Sequence, residues 1–304
     1  MNYSIHNEAL KSKQKYLHWA GFTDIIISKN YYMYTQFFGL KEKPFNVTSD
    51  PNFLFLSRVH KDALSHLIYG IRERKGFIEI TGEVGAGKTT LCRALLNQFD
   101  ANTRSAFIFN STLPEVQLLQ TILEDFGVTV ARKTKSALLR QFNSFLVEEL
   151  CKNNNVVLII DEAQNLKTSV LEVLRLLSNL ETDKEKLFQM ILVGQPELRE
   201  KLNSPELRQL KQRIAVRYHI TPLANDEIPD YIYHRLKVAG SEGNILFSQE
   251  AFDAIFQYSG GIPRLINKAC DKALLLAYVM GTKAIDLSII ERSIQELEGV
   301  MAVA

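Results

Sequence analysis

Apolar residues along this chain change their period twice. From 57 to 74, Ala63, Leu64, Leu67, Ile68 and Ile71 follow a three-and-four spacing, which predicts an amphipathic helix with one buried stripe. Short, dense apolar runs then recur at 77–81, 106–110, 156–161, 190–194 and 214–220. Helical spacing returns between them at 91–99, 115–126, 136–152 and 170–180. Such alternation predicts an α/β fold with a mostly parallel sheet covered by helices on both faces. The run Val156-Val157-Leu158-Ile159-Ile160 has no polar alternation, as a central strand buried on both sides requires. After Thr221-Pro222-Leu223 the strand signal stops, and helices are expected at 226–239, 249–258, 264–279 and 287–297. Glycine-containing breaks at 240–243, 260–263 and 281 separate them. The expected organisation is an α/β domain over 33–221 followed by an all-helical domain over 222–304. Residues 1–32 are polar with no sustained period, and read as a poorly ordered extension with little chemistry.

The first apolar run feeds Gly82-Glu83-Val84-Gly85-Ala86-Gly87-Lys88-Thr89, followed by Thr90 and a helical stretch. A strand, a glycine-rich turn and a helix in that order form a phosphate-binding loop. Its glycines let successive N–H groups point inward at phosphate oxygens, and the helix N-terminus adds positive potential at the same spot. Lys88 is placed to reach the β- and γ-phosphates, and the Thr89 hydroxyl to hold Mg²⁺.

Composition narrows the alternatives. The 304 residues are 46% apolar and 23% charged with a net charge of +2, so neither nucleic acid nor an anionic membrane is an obligatory partner. The basic stretch Lys11, Lys13 and Lys15 reads as a solvated face. Cys92, Cys151 and Cys270 show no C-x-x-C spacing, which suits a reducing compartment. Cys92 reads as a core residue, although a helix start is also where a thiol gains reactivity. The six histidines form no metal-ligand cluster, and no apolar run approaches the roughly 20 residues that cross a bilayer. With no secretory leader in the N-terminal residues, a cytoplasmic location is expected, with a partner as the route to the membrane.

Other residues extend the chemistry. Asp161 and Glu162 close a buried strand, where Asp161 either holds Mg²⁺ or orients a water on it. Glu162 is suited to orient and activate the water attacking a γ-phosphate, which favours hydrolysis over transfer. Gln195 ends the next strand and either senses the γ-phosphate or caps the turn before Pro196. Arg213, and second to it Arg208, stand ahead of the last strand, suited to a neighbouring subunit's nucleotide or to surface ion pairs. Arg264 opens a helix after Gly260-Gly261-Ile262-Pro263 and either contacts the γ-phosphate or is merely solvated. The aromatic segment from Phe38 to Leu56 serves as a slot for a base or as ordinary packing.

Taken in order, these residues resemble the AAA+ ATPases, and more narrowly the ExeA/GspA-like group, which takes in general secretion pathway protein A and the pilus-type MshM. Phe38-Gly39-Leu40-Lys41-Glu42-Lys43-Pro44-Phe45, Asp50-Pro51-Asn52-Phe53-Leu54-Phe55, Asp161-Glu162-Ala163-Gln164 and Val193-Gly194-Gln195-Pro196-Glu197-Leu198 carry the likeness beyond the phosphate loop. The resemblance implies Walker A at Lys88 and Thr89, Walker B at Asp161 and Glu162, sensors at Gln195 and Arg264, and an arginine finger at Arg213. It further implies a P-loop NTPase sheet of order 5-1-4-3-2, a helical lid, homo-oligomers and energy-dependent assembly of envelope machinery. Larger members continue into a membrane span and a peptidoglycan-binding segment, whereas this chain ends at Ala304, so a free-standing ATPase is expected. Family likeness and the lack of an N-K-x-D guanine motif favour ATP. The expected function is Mg²⁺-dependent ATP hydrolysis driving assembly of a secretion, pilus or polysaccharide-export apparatus. The alternatives are a DNA-binding ATP switch of the transposition-helper type and a nucleotide-gated scaffold with little turnover.

Overall fold

The computed structural model describes residues 33–109, 112–178 and 186–299. The expected extension over 1–32 lies outside the described residues. Five strands form the main sheet: β1 (Phe77–Gly82), β2 (Thr103–Ile108), β3 (Asn155–Ile160), β4 (Gln189–Gly194) and β5 (Ile214–Ile220). Their order is β2-β3-β4-β1-β5, with every neighbouring pair parallel. This is the expected order read from the other edge.

Each central strand is buried on both faces because helices cover both. Val156, Leu158 and Ile160 join one core with α4 (Glu115–Asp125), α5 (Lys135–Cys151) and α6 (Thr168–Leu177). Val157 and Ile159 point the other way, into a core with α2 (Arg58–Arg72) and α3 (Lys88–Leu96). The period-two alternation of side chains thus splits one apolar run between two cores. Cys92 is fully buried in the second of these, and burial pushes its thiol pKa up, which makes it inert packing.

Between β4 and β5 two short helices went unread in the sequence: α7 (Pro196–Leu202), which starts with proline in its first turn, and α8 (Arg208–Lys211). Neither is long enough to show a helical period. The C-terminal region contains α9 (Ile228–Val238), α10 (Gln249–Ser259), α11 (Pro263–Met280) and α12 (Leu287–Leu297). Gly260 and Gly281 close α10 and α11 in the left-handed conformation. This lid is helical apart from a two-residue parallel ladder, β6 (Leu246–Phe247) with β7 (Ala284–Ile285), too short to leave an apolar pattern.

The lid core also takes in residues from before the sheet. Tyr34 and Phe38 of α1 (Met33–Phe38), together with Leu40, Phe45 and Phe53, are buried in one cluster with Leu223, Tyr231, Ile266 and Cys270. The aromatic segment expected to belong with the α/β domain therefore packs with the lid helices, across the mouth of the phosphate loop.

Candidate nucleotide site

The loop between β1 and α3 lies at the carboxyl edge of the sheet. Gly85 and Gly87 adopt φ of 85° and 91°, which side-chain-bearing residues rarely reach. Space also demands glycine here, since a Cβ on Gly85 would lie 2.5 Å from the Cβ of Arg264. The Lys88 ammonium donates to the carbonyls of Gly82 (2.7 Å) and Glu83 (2.8 Å). Burial pulls its pKa down, against the opposing charges of Glu162, Asp161 and Glu83.

Opposite the loop, the Thr89 hydroxyl donates to Asp161 Oδ2 at 2.5 Å, and the Glu162 N–H donates to Asp161 Oδ1 at 2.9 Å. Burial raises the Asp161 pKa in spite of these two hydrogen bonds. Glu162 has φ 52°, one of three non-glycine residues in the left-handed region among the described residues. Its Oε2 accepts from Gln195 Nε2 (3.2 Å) and Gln164 Nε2 (2.5 Å). Gln164 Oε1 in turn accepts from the Gln195 N–H at 3.2 Å. Gln195 is the N-cap residue of α7, but its side chain turns to the acid and makes no capping bond.

The structure brings together Lys88, Thr89, Asp161, Glu162 and Gln195, and sets Arg264 on the same cleft as Glu162. Arg264 meets the loop through its backbone, with its N–H donating to Gly85 O at 3.3 Å. Among the described residues its guanidinium has no hydrogen-bond or ion-pair partner, and none of them supplies the compensating group that a first-turn arginine calls for. Arg213 is elsewhere. It directly precedes β5, whose residue Ile214 pairs with Phe77, whereas Gly82 at the loop pairs with Ile220. Six residues of strand, about 20 Å, separate Arg213 from the loop. Its Nη1 donates to Ser178 Oγ at 3.1 Å, and Arg208 is exposed on α8.

Residues without a sequence-level role also build the site. His60 is buried in the first turn of α2, with Nδ1 2.7 Å from Ser57 Oγ and Nε2 2.9 Å from the carbonyl oxygen of Ala86 in the loop. A Cβ on Gly87 would stand 3.0 Å from His60 Nε2, so loop and imidazole are fitted to each other. Gln164 was legible only as part of the Asp161–Gln164 motif, and His60 carried no signal at all. Of the aromatic segment, Phe53, Leu54 and Phe55 line the cleft with Leu223 and Tyr231. Phe53 packs in the lid core, 5% exposed, and is also part of the cleft wall.

Oxygen donors at Thr89 and Asp161 form a hard pair of the type Mg²⁺ prefers, and the positive-φ glycines let the loop wrap close against Arg264 and His60, where a Cβ would collide. The site therefore fits Mg²⁺ and a phosphorylated ligand.

Residues 71–202 match the AAA domain family. General secretion pathway protein A of Aeromonas hydrophila is 44% identical over 269 residues, which are 88% of this chain and 49% of that protein. The chain thus spans about half the length of that relative. Among solved structures, the ORC2 protein of Aeropyrum pernix superposes with a TM-score of 0.63 at 18% identity, covering 84% of this chain and 72% of that one. Cdc6p of Pyrobaculum aerophilum gives 0.63 at 18% over 83% and 72%, and the Thermotoga maritima RuvB branch migration motor 0.51 at 20% over 78% and 68%. At such identities these structures establish the α/β P-loop NTPase fold. The 44% identity over 88% of this chain, together with the AAA domain match, places the chain in the ExeA/GspA-like group of AAA+ proteins.

Proposed function

We propose that this chain binds Mg·ATP at the phosphate loop, hydrolyses it, and uses the cycle to assemble or remodel a secretion-type envelope apparatus. The observation that carries the reading is the hold on Glu162. It is kept in a left-handed turn by two glutamine side chains, one residue from the Thr89–Asp161 pair. Backbone strain of that kind, about 1–3 kcal/mol, persists where function requires the geometry.

In this reading the loop N–H groups and Lys88 take the phosphate oxygens, with Lys88 leaving its carbonyl partners. Thr89 and Asp161 would hold Mg²⁺, which supplies charge neutralisation across the phosphates. Glu162 orients the attacking water and accepts its proton, and Gln195 fixes the carboxylate that does so. Arg264 offers its charge to the terminal phosphate from the lid. Arg213, about 20 Å from its own chain's loop, acts on the nucleotide of a second copy, which makes the working form a homo-oligomer. The secretion role rests on the relative's name, and a cytoplasmic face of the membrane, reached through a partner, is the location that fits it. No described helix is long and apolar enough to cross a membrane.

Calorimetry and turnover assays test the assignment. Lys88→Ala is expected to abolish the heat of Mg·ATP binding, and unchanged affinity in that variant overturns the site. Glu162→Gln is expected to keep ATP affinity while turnover falls about 100-fold or more. Full activity in Glu162→Gln removes the residue from catalysis.

A further inference from the structure

Arg235 on α9 is a buried guanidinium, 7% exposed, and among the described residues no carboxylate pairs with it. Neutral groups hold it instead. Nε donates to Pro44 O (2.6 Å), Nη2 to Asn46 O (3.1 Å) and Nη1 to the Tyr231 hydroxyl (3.3 Å), while the Phe53 ring lies 4.8 Å from its central carbon. The Tyr231 hydroxyl donates onward to Asn267 Oδ1 at 2.8 Å.

This chain of contacts has a fixed direction. A guanidinium can only donate, so the phenol oxygen accepts from Arg235 and its own proton must go to Asn267. Asn267 is therefore obliged to present Oδ1 to Tyr231, which settles an amide orientation that is otherwise ambiguous. Its Nδ2 keeps two N–H donors that no other described residue takes up. Asn267 is 5% exposed and lines the cleft three residues after Arg264. That spacing puts it on the same helix face, about 4.5 Å further along the axis from the phosphate loop, beside Phe53 and Tyr231.

We propose that Asn267 reads the base: its amide donates a hydrogen bond to a ring nitrogen of a purine, and Arg235, acting through Tyr231, is the positioning residue that fixes the polarity. The inference rests on the nucleotide reading above and goes beyond it by assigning the donor that selects the base. A buried amide donor that loses its acceptor costs more than a neutral hydrogen bond gains, so the contact rejects bases with no acceptor at that edge.

The test is the affinity of the wild-type chain for Mg·ATP and for the 1-deaza, 3-deaza and 7-deaza adenosine triphosphates, each lacking one ring nitrogen. One analogue is expected to bind roughly three- to tenfold more weakly than ATP. Asn267→Leu should lose the same factor for ATP and nothing further for that analogue. Tyr231→Phe, which keeps the ring but frees the amide to turn, should shrink the discrimination while still binding ATP. Equal binding of all three analogues overturns the proposal. If Asn267→Leu weakens all four ligands alike, it is likewise overturned. Absence of heat with ATP itself defeats the nucleotide reading, whereas ATP binding with a flat deaza series defeats only the base assignment.

Discussion

His60 sets the condition of the phosphate loop one residue at a time. Its ring joins the Ser57 hydroxyl to the Ala86 carbonyl, an oxygen with little other recourse in a loop that turns its N–H groups inward. Burial holds the imidazole below its ordinary value of 6.5. As pH falls through 6.5, the unfolded chain takes up a proton at this position while the folded chain does not, so wild-type stability drops across that window. His60→Gln has no such titration. The stability gap between wild type and His60→Gln should therefore narrow between about pH 7.5 and 5.5, measured by denaturant unfolding. His234, lowered in the same sense, titrates in both proteins and cancels. A constant gap would refute a buried neutral ring. Gly85 makes the complementary prediction. Gly85→Ala places a methyl 2.5 Å from Arg264 Cβ at a φ of 85°, and should cost about 1–3 kcal/mol of stability along with nucleotide affinity.

At the level of elements, the segment before the sheet belongs energetically to the lid. Phe45 is 1% exposed, and Arg235 of α9 grips the carbonyls of Pro44 and Asn46 on either side of it. A hydrogen bond between Tyr34 Oη and Asp271 of α11 (2.5 Å) ties down the other end. Asn46, next to Phe45, lines the cleft, so this part of the cleft wall is tied to the lid helices through Arg235. Phe45→Ala is expected to cost about 3–5 kcal/mol. Amide exchange should quicken in α9 and α11 and stay slow in β1, β3 and β4. Loss of protection centred on the sheet strands would assign the segment to the other unit.

In the function proposed above, the whole molecule shares its chemistry with a second copy. Loop, acid pair and Gln195 gather at one end of the sheet, while Arg213 stands at the other. Arg213→Ala should therefore lower turnover while leaving the affinity of a single chain for ATP intact. Mixing Arg213→Ala with Glu162→Gln should restore part of the turnover, because a mixed interface can pair an intact Glu162 with an intact Arg213. No recovery at any mixing ratio removes Arg213 from the trans role.

The sheet order was legible only through the family resemblance, whereas local chemistry determined the phosphate loop and the strand–helix alternation, because backbone conformation, periodicity and glycine spacing act over a few residues. Asp161 and Glu162 were legible for the same reason, since an apolar run that ends in two acids marks a buried strand reaching the sheet edge. The parts that stayed hidden depend on contacts between distant segments. Glu79 lies in a strand buried at all six positions, and only the fold shows Arg199 at 2.8 Å and Arg217 at 3.4 Å beside it. The hold of Gln164 and Gln195 on Glu162, the capture of Phe45 in the lid core and the polarity of Asn267 are likewise decided between elements. Hydrogen-bond direction and close packing are properties of surroundings, and surroundings exist only once the chain has folded.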